Sequence, residues 1–170
     1  MGARVYETPS DLIWLQRMLD DSHARAGAHL RSIITEDRRV DAARLADELR
    51  GVQILHLATV TARHEPRVGP VDGLFFHGRF WFGSGPDSAR FRHLRARPQV
   101  SACVTRGEGF QVTVHGRAVE VDMAAPETKP FRDLLIEVYG DDWESWAGDA
   151  PYARIEPTAM FTFGGVDGAA

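Results

Sequence analysis

At Val52 the periodicity of the chain changes. Upstream, apolar residues recur at helical spacing; downstream, β-branched and apolar residues alternate with polar ones, the period-two signature of strands. The strand-like runs are VQILHLATVTA, RVGPVDGLFF, RFWFGS, QVSACVTR, FQVTVHGRAVEVD and, near the C-terminus, YARIEPTAMFTF. Most are joined by short polar turns such as ARHEPR and His77-Gly78. Such connections cannot hold the crossover helices that a parallel doubly wound sheet requires. The expected fold is therefore mainly β with flanking helices. About six strands, with a short helix inserted after the third, favour a small antiparallel barrel or sandwich, which removes free edges.

Helices are expected at both margins. Thr8-Pro9-Ser10-Asp11 has the capping-box form, and Leu12, Leu15, Leu19 and Ala26 follow at helical spacing until Gly27 stops the helix. A second helix is expected from about Asp41 to Leu49; HLRSIITEDRRV, between them, is ambiguous. Pro126 to Tyr139 places Phe131, Leu134, Leu135 and Val138 on one helical face, and DDWESWAGDAP reads as a loop or a short helical turn. Within the strands, Pro70 and Gly73 predict a bulge or bend, as does Gly116. The GGVDGAA tail is expected to fray.

The 170 residues suit one domain: a helical N-terminal extension (1–51), a strand-rich core (52–125), and a C-terminal helix with the last strand (126–170). The lone cysteine, Cys103, excludes a disulfide within the chain and fits a reducing cytoplasm. There is no signal-type apolar core near the N-terminus and no run long enough to span a membrane. Net charge is −4, which argues against nucleic acid. Lys129 is the one lysine among 20 Lys and Arg residues, a bias typical of GC-rich genomes.

One stretch nonetheless concentrates positive charge. GPDSARFRHLRARP follows directly on the RFWFGS strand and opens a helix. A helix N-terminus offers unpaired N–H groups and partial positive charge to an anion. The hydroxyls of Ser84 and Ser88 can donate to the same anion, Arg90 can curl back to it, and Arg67 on the adjoining hairpin can add a second cation. Asp87 would repel a phosphate unless it turns away to cap the helix. The competing reading is a helix that buries Phe91 and Leu94 and leaves its arginines in water. Arg90 and Arg97 lie seven apart, but Arg92 and Arg95 project elsewhere, so a one-sided nucleic-acid stripe is poorly supported.

Other chemistry is sparse. The seven histidines make no metal-ligand spacing, and no nucleophile elbow, zinc-protease pair or Walker loop is present. His56 reads as a core histidine and Cys103 as a buried, inert thiol. Trp143, Trp146, Tyr139 and Tyr152 either wall a flat ligand, seal the core, or bury a subunit interface.

Taken in order, ILHLATVTARHEPRVGPVDGLFFHGRFWFGSGPDSARFRHLRARPQVSACV resembles the pyridoxamine 5′-phosphate oxidase-like, FMN-binding split-barrel superfamily. The resemblance covers residues 52 to about 122. It implies a six-stranded antiparallel split β-barrel with residues 52–125 as its core and a short helix inserted after the third strand, and a homodimer with the cofactor at the subunit interface. It also implies a phosphate site at Arg67, Val68, Pro70 and Val71 on one strand, with Ser84, Ser88 and Arg90 beyond it. Backbone N–H groups from Val68 to Asp72, Gly69 among them, are implied ring contacts. Ala89 and His93 depart from the usual pattern. The Arg-x-His element of true pyridoxamine phosphate oxidases has no counterpart in ARIEPTAMFTFGG, so pyridoxine oxidation is not expected. The resemblance implies a flavin-binding oxidoreductase using FMN on an unknown small molecule, with the deazaflavin coenzyme as its rival and a non-catalytic flavin or haem binder as a further alternative. A bound flavin carries the redox chemistry, so no catalytic residue is nominated, and no metal or membrane partner is expected.

Overall fold

The computed structural model describes residues 6–165, so the tail beyond Gly165, with its expected fraying, lies outside the described residues. Six antiparallel strands close a barrel in the order β1-β2-β3-β6-β5-β4, and β4 returns to β1. The strands are β1 (Val52–Val60), β2 (Pro66–Phe76), β3 (Arg79–Gly83), β4 (Gln99–Arg106), β5 (Phe110–Val121) and β6 (Tyr152–Gly164). The helices are α1 (Pro9–Arg25), α2 (Ala28–Ile33), α3 (Ala42–Glu48), α4 (Ala89–Ala96), α5 (Lys129–Tyr139) and α6 (Trp143–Ala147). Among the described residues, no helix is long and apolar enough to cross a membrane.

Period-two alternation fills the barrel. Leu55 and Leu57, Phe80 and Phe82, and Val112 and Val114 point inward in pairs two apart and form one cluster. Leu15 and Leu19 of α1 join it from outside. Two buried hydroxyls fasten the N-terminal helices to β6. Ser22 Oγ accepts the Met160 N–H at 3.0 Å, and Thr162 Oγ1 both accepts from and donates to the Val40 backbone. Each buried polar group is thus paired, as burial requires.

Local signals are realised directly. Thr8 and Asp11 form a reciprocal capping box. His77 and Gly78 both have positive φ, as a two-residue hairpin between twisted strands demands. The register shifts between His115 and Gly116, and a Cβ at Gly116 would lie 2.2 Å from the Glu156 carbonyl oxygen. The ambiguous segment becomes α2 followed by a 3-10 turn over Glu36–Arg38.

α1 stops at Gly27 as expected, with Ala26 as its C-cap, and Gly27, at φ −65°, caps the start of α2. Three expectations are corrected. The β2 register against β1 runs unbroken from Leu74 to Pro66, with no bulge at Pro70 or Gly73. Pro70 is tolerated because β3 pairs only with Gly73–Phe76, which leaves the first half of β2 a free edge. Gly73 is required for space, since a Cβ there would meet Leu55 Cδ1 at 2.4 Å. His56 is exposed rather than core, because the alternation that buries Leu55 and Leu57 turns it outward. Its cross-strand partner Cys103 shares that face and is only half-buried.

Candidate functional site

The site begins where β3 passes into α4. Ser88 is the N-cap of α4, its Oγ accepting the Phe91 N–H at 3.3 Å, while Phe91 and Leu94 anchor the helix in the core. Asp87 therefore does not cap the helix; it is exposed, and its carbonyl accepts from Arg92 at 2.6 Å. The four arginines then separate. Arg95 grips the Glu120 carboxylate through two bonds of 2.9 and 2.8 Å, and Arg97 reaches the Ala62 carbonyl. Arg90 alone of the four turns toward β2. Its Nη2 donates to the Pro70 carbonyl at 2.9 Å and its Nη1 to Ser84 Oγ at 3.3 Å. Both acceptors are neutral. Burial lowers its pKa, and no described carboxylate pairs with it to offset that cost.

Alternation along β2 decides what joins Arg90. Arg67, Gly69 and Val71 lie opposite Thr59, Leu57 and Leu55, on the side that α4 covers. At Gly69 a Cβ would come within 3.5 Å of Arg90 Nη2, so strand and guanidinium are in close contact there. Val68, by contrast, is 72% exposed on the other side. Arg67 is exposed and shares the Glu65 carboxylate with Arg63, two cations on one anion. His93, in the position usually held by asparagine, is hydrogen-bonded through Nδ1 to Thr59 Oγ1 at 3.0 Å and ties α4 to β1.

Ser84 also borders a second feature. A cavity of about 420 Å³ lies between the outward face of β2, β3 and β6 and the helices α5 and α6. Trp81 stacks on Phe131 at 4.4 Å at its base, and Tyr139 meets Trp146 edge-on at 5.6 Å at its mouth. Tyr152 crosses β3 at Gly83, where a Cβ would collide with its ring at 2.6 Å. The four aromatics weighed together in the sequence thus divide. Trp143 is buried in the core and donates to Tyr152 Oη at 3.0 Å; Trp146, Tyr139 and Tyr152 line the cavity. Burial pushes the Tyr139 hydroxyl up to about 12, reinforced by the charge of Asp72 and by Tyr152. Phe80, Trp81 and Phe82 are all buried, so they offer no stacking platform to a nucleic acid.

The profile of the pyridoxamine 5′-phosphate oxidase family matches residues 42–162, from α3 to the end of β6. The chain belongs to that family. No curated protein matches it in sequence. A conserved hypothetical protein of Mycobacterium tuberculosis shares its fold at 19% identity, with a TM-score of 0.65 over 76% of this chain and 88% of that one. An FAD-binding protein of Mesorhizobium loti does so at 23% identity and TM-score 0.59, over 74% and 94%. The haem storage protein HutZ of Vibrio cholerae matches at 20% identity and TM-score 0.59, over 67% and 89%. Helices α1 and α2 lie outside the matched family segment.

Of the residues singled out in the sequence, the structure gathers Ser84, Ser88, Arg90, Gly69 and the Pro70 carbonyl around the start of α4, with Arg67 and Val71 on the same side of β2. It turns the Val68 side chain away. The Asp72 side chain escaped sequence reasoning. Part of the signal was present: in RVGPVDGL, period two puts Asp72 and Leu74 on the side opposite Arg67 and Gly69.

Proposed function

We propose that this family member binds FMN and serves as a flavin-dependent oxidoreductase for a small molecule. One observation carries the reading. Arg90 is a half-buried cation with no carboxylate partner among the described residues, fixed by two neutral oxygens at the head of a helix and beside an aromatic cavity. Burying such a charge is costly unless an anion completes it. The donor set fits a phosphate monoester: guanidinium, the Ser84 and Ser88 hydroxyls, free N–H groups at the start of α4, and Arg67 able to leave Glu65. When bound, a flavin supplies the hydride chemistry through its own ring. The protein's share is then to hold the phosphate, orient the ring along the free edge of β2, and keep water from the aromatic cavity.

The same face supports assembly as a homodimer. Val52 and Ile54 of β1 and Val68 of β2 stand exposed on the outward side, beside Asp72 and the cavity. An apolar stripe of this kind suits a second copy of the chain, which would then border the cofactor site. The deazaflavin coenzyme also bears phosphate and suits the same cradle. The mass of the cofactor that co-purifies distinguishes the two. FMN supports the reading, the deazaflavin coenzyme replaces FMN within it, and haem overturns it.

A further inference from the structure

The cavity carries chemistry of its own, separate from the phosphate cradle. The rings of Trp81, Tyr139, Trp146 and Tyr152 line it, and no arginine or lysine does. Its one charged lining group is the Asp72 carboxylate, exposed on the outward face of β2. That carboxylate forms no hydrogen bond or ion pair with a described residue. Its field is nonetheless felt inside, since it is one of the causes that raise the Tyr139 pKa. A phosphate or carboxylate here would meet repulsion and no compensating cation. A cation would meet both an unpaired carboxylate and the negative faces of aromatic rings. The remaining walls, Leu74, Leu135 and Phe131, are apolar and suit a flat hydrocarbon body.

We infer, building on the oxidoreductase reading above, that this cavity is the substrate site and that it takes a flat, unphosphorylated organic cation, such as an aromatic amine protonated at neutral pH. The molecule then has two ends of opposite preference. Arg90 holds the anionic phosphate of the cofactor, and Asp72 selects a cationic substrate. Ser84 stands between them.

Calorimetry on the full chain tests this with three naphthalene probes: 2-naphthylmethylammonium, 2-naphthylmethanol and 2-naphthoate, each with and without saturating FMN. The ammonium is expected to bind roughly tenfold tighter than the naphthoate, the scale of one charge-assisted hydrogen bond. Asp72→Asn is expected to bring the ammonium down to the affinity of the alcohol. Should that variant fail to fold, salt applied to the natural protein decides: sodium chloride weakens the ammonium and leaves the alcohol unchanged. Equal binding of ammonium and naphthoate, a preference that survives Asp72→Asn, or equal salt dependence of ammonium and alcohol overturns the inference. Displacement of the probe by FMN also overturns it, because the cavity would then hold the flavin ring. If FMN fails to bind while the ammonium preference persists, the flavin reading falls and the cation selectivity of the cavity stands.

Discussion

Replacing Arg90 by alanine removes the one cation that α4 aims at β2. The side chain makes two hydrogen bonds, to the Pro70 carbonyl at 2.9 Å and Ser84 Oγ at 3.3 Å, both to neutral groups. Because Arg90 is half-buried, water can reach those oxygens after truncation, so folding stability should change by no more than about 1 kcal/mol. Cofactor binding should change far more. A hydrogen bond from a charged donor to an anion contributes about 1.5–3 kcal/mol, which is roughly 10- to 150-fold in Kd. The assay is titration of FMN by quenching of its fluorescence, with circular dichroism and thermal melts to confirm that the fold persists. Arg95→Ala is the control: Arg95 sits five residues further along the same helix, but its charge is spent on Glu120. It should leave FMN affinity unchanged. An Arg90→Ala protein that binds FMN as tightly as the natural chain, or a loss equal to that of Arg95→Ala, would refute the argument that Arg90 is a phosphate ligand.

Other consequences follow from the same geometry. Gly116→Ala should cost about 1–3 kcal/mol in urea denaturation, since the added Cβ meets the Glu156 backbone at 2.2 Å and neither strand can yield cheaply. Trp143→Ala should cost about 3–5 kcal/mol, whereas Trp146→Ala, 58% exposed at the cavity mouth, should cost about 0.5 kcal/mol or less in the same experiment. Tyrosinate absorbance should show a late ionisation near pH 12 that vanishes in Tyr139→Phe and moves to lower pH in Asp72→Asn. Because the folded pKa of Tyr139 is raised, its contribution to stability is complete below about pH 10 and is lost as pH climbs toward 12. At the acid end, burial pushes the Asp11 carboxyl up, but bonds from His77 and Thr8 outweigh it and leave the pKa below 3.8. The capping box should therefore stabilise the fold above about pH 4 and fail as pH falls through the lowered value, so Asp11→Asn should flatten the melting-temperature profile there.

What the sequence showed plainly was local. The Thr8–Asp11 cap, the His77-Gly78 turn and the bend at Gly116 each depend on residues adjacent in the chain or on one backbone conformation. The order of the strand runs, with the short helix after the third, suggested the family. Features that depend on non-local neighbours were misread. Pro70 looked like a fault in a strand only because the free edge of β2 is invisible without β3's short pairing. His56 looked buried because its strand is apolar, although its own parity turns it outward. The cavity was illegible for a further reason. It exists because α5 and α6 dock on the outside of the barrel, and no spacing within RVGPVDG says that a helix 60 residues later will roof Asp72.

At the centre stands the proposed recognition of a flavin's phosphate by the cradle at Arg90. Comparing FMN with riboflavin, which has the same ring and no phosphate, isolates that contact in the unaltered protein. Both are titrated into the full chain freed of any co-purified cofactor. FMN should bind in the micromolar range or tighter and at least roughly tenfold more tightly than riboflavin, the difference made by one charge-assisted contact. Equal affinities, or no binding of either, would contradict it.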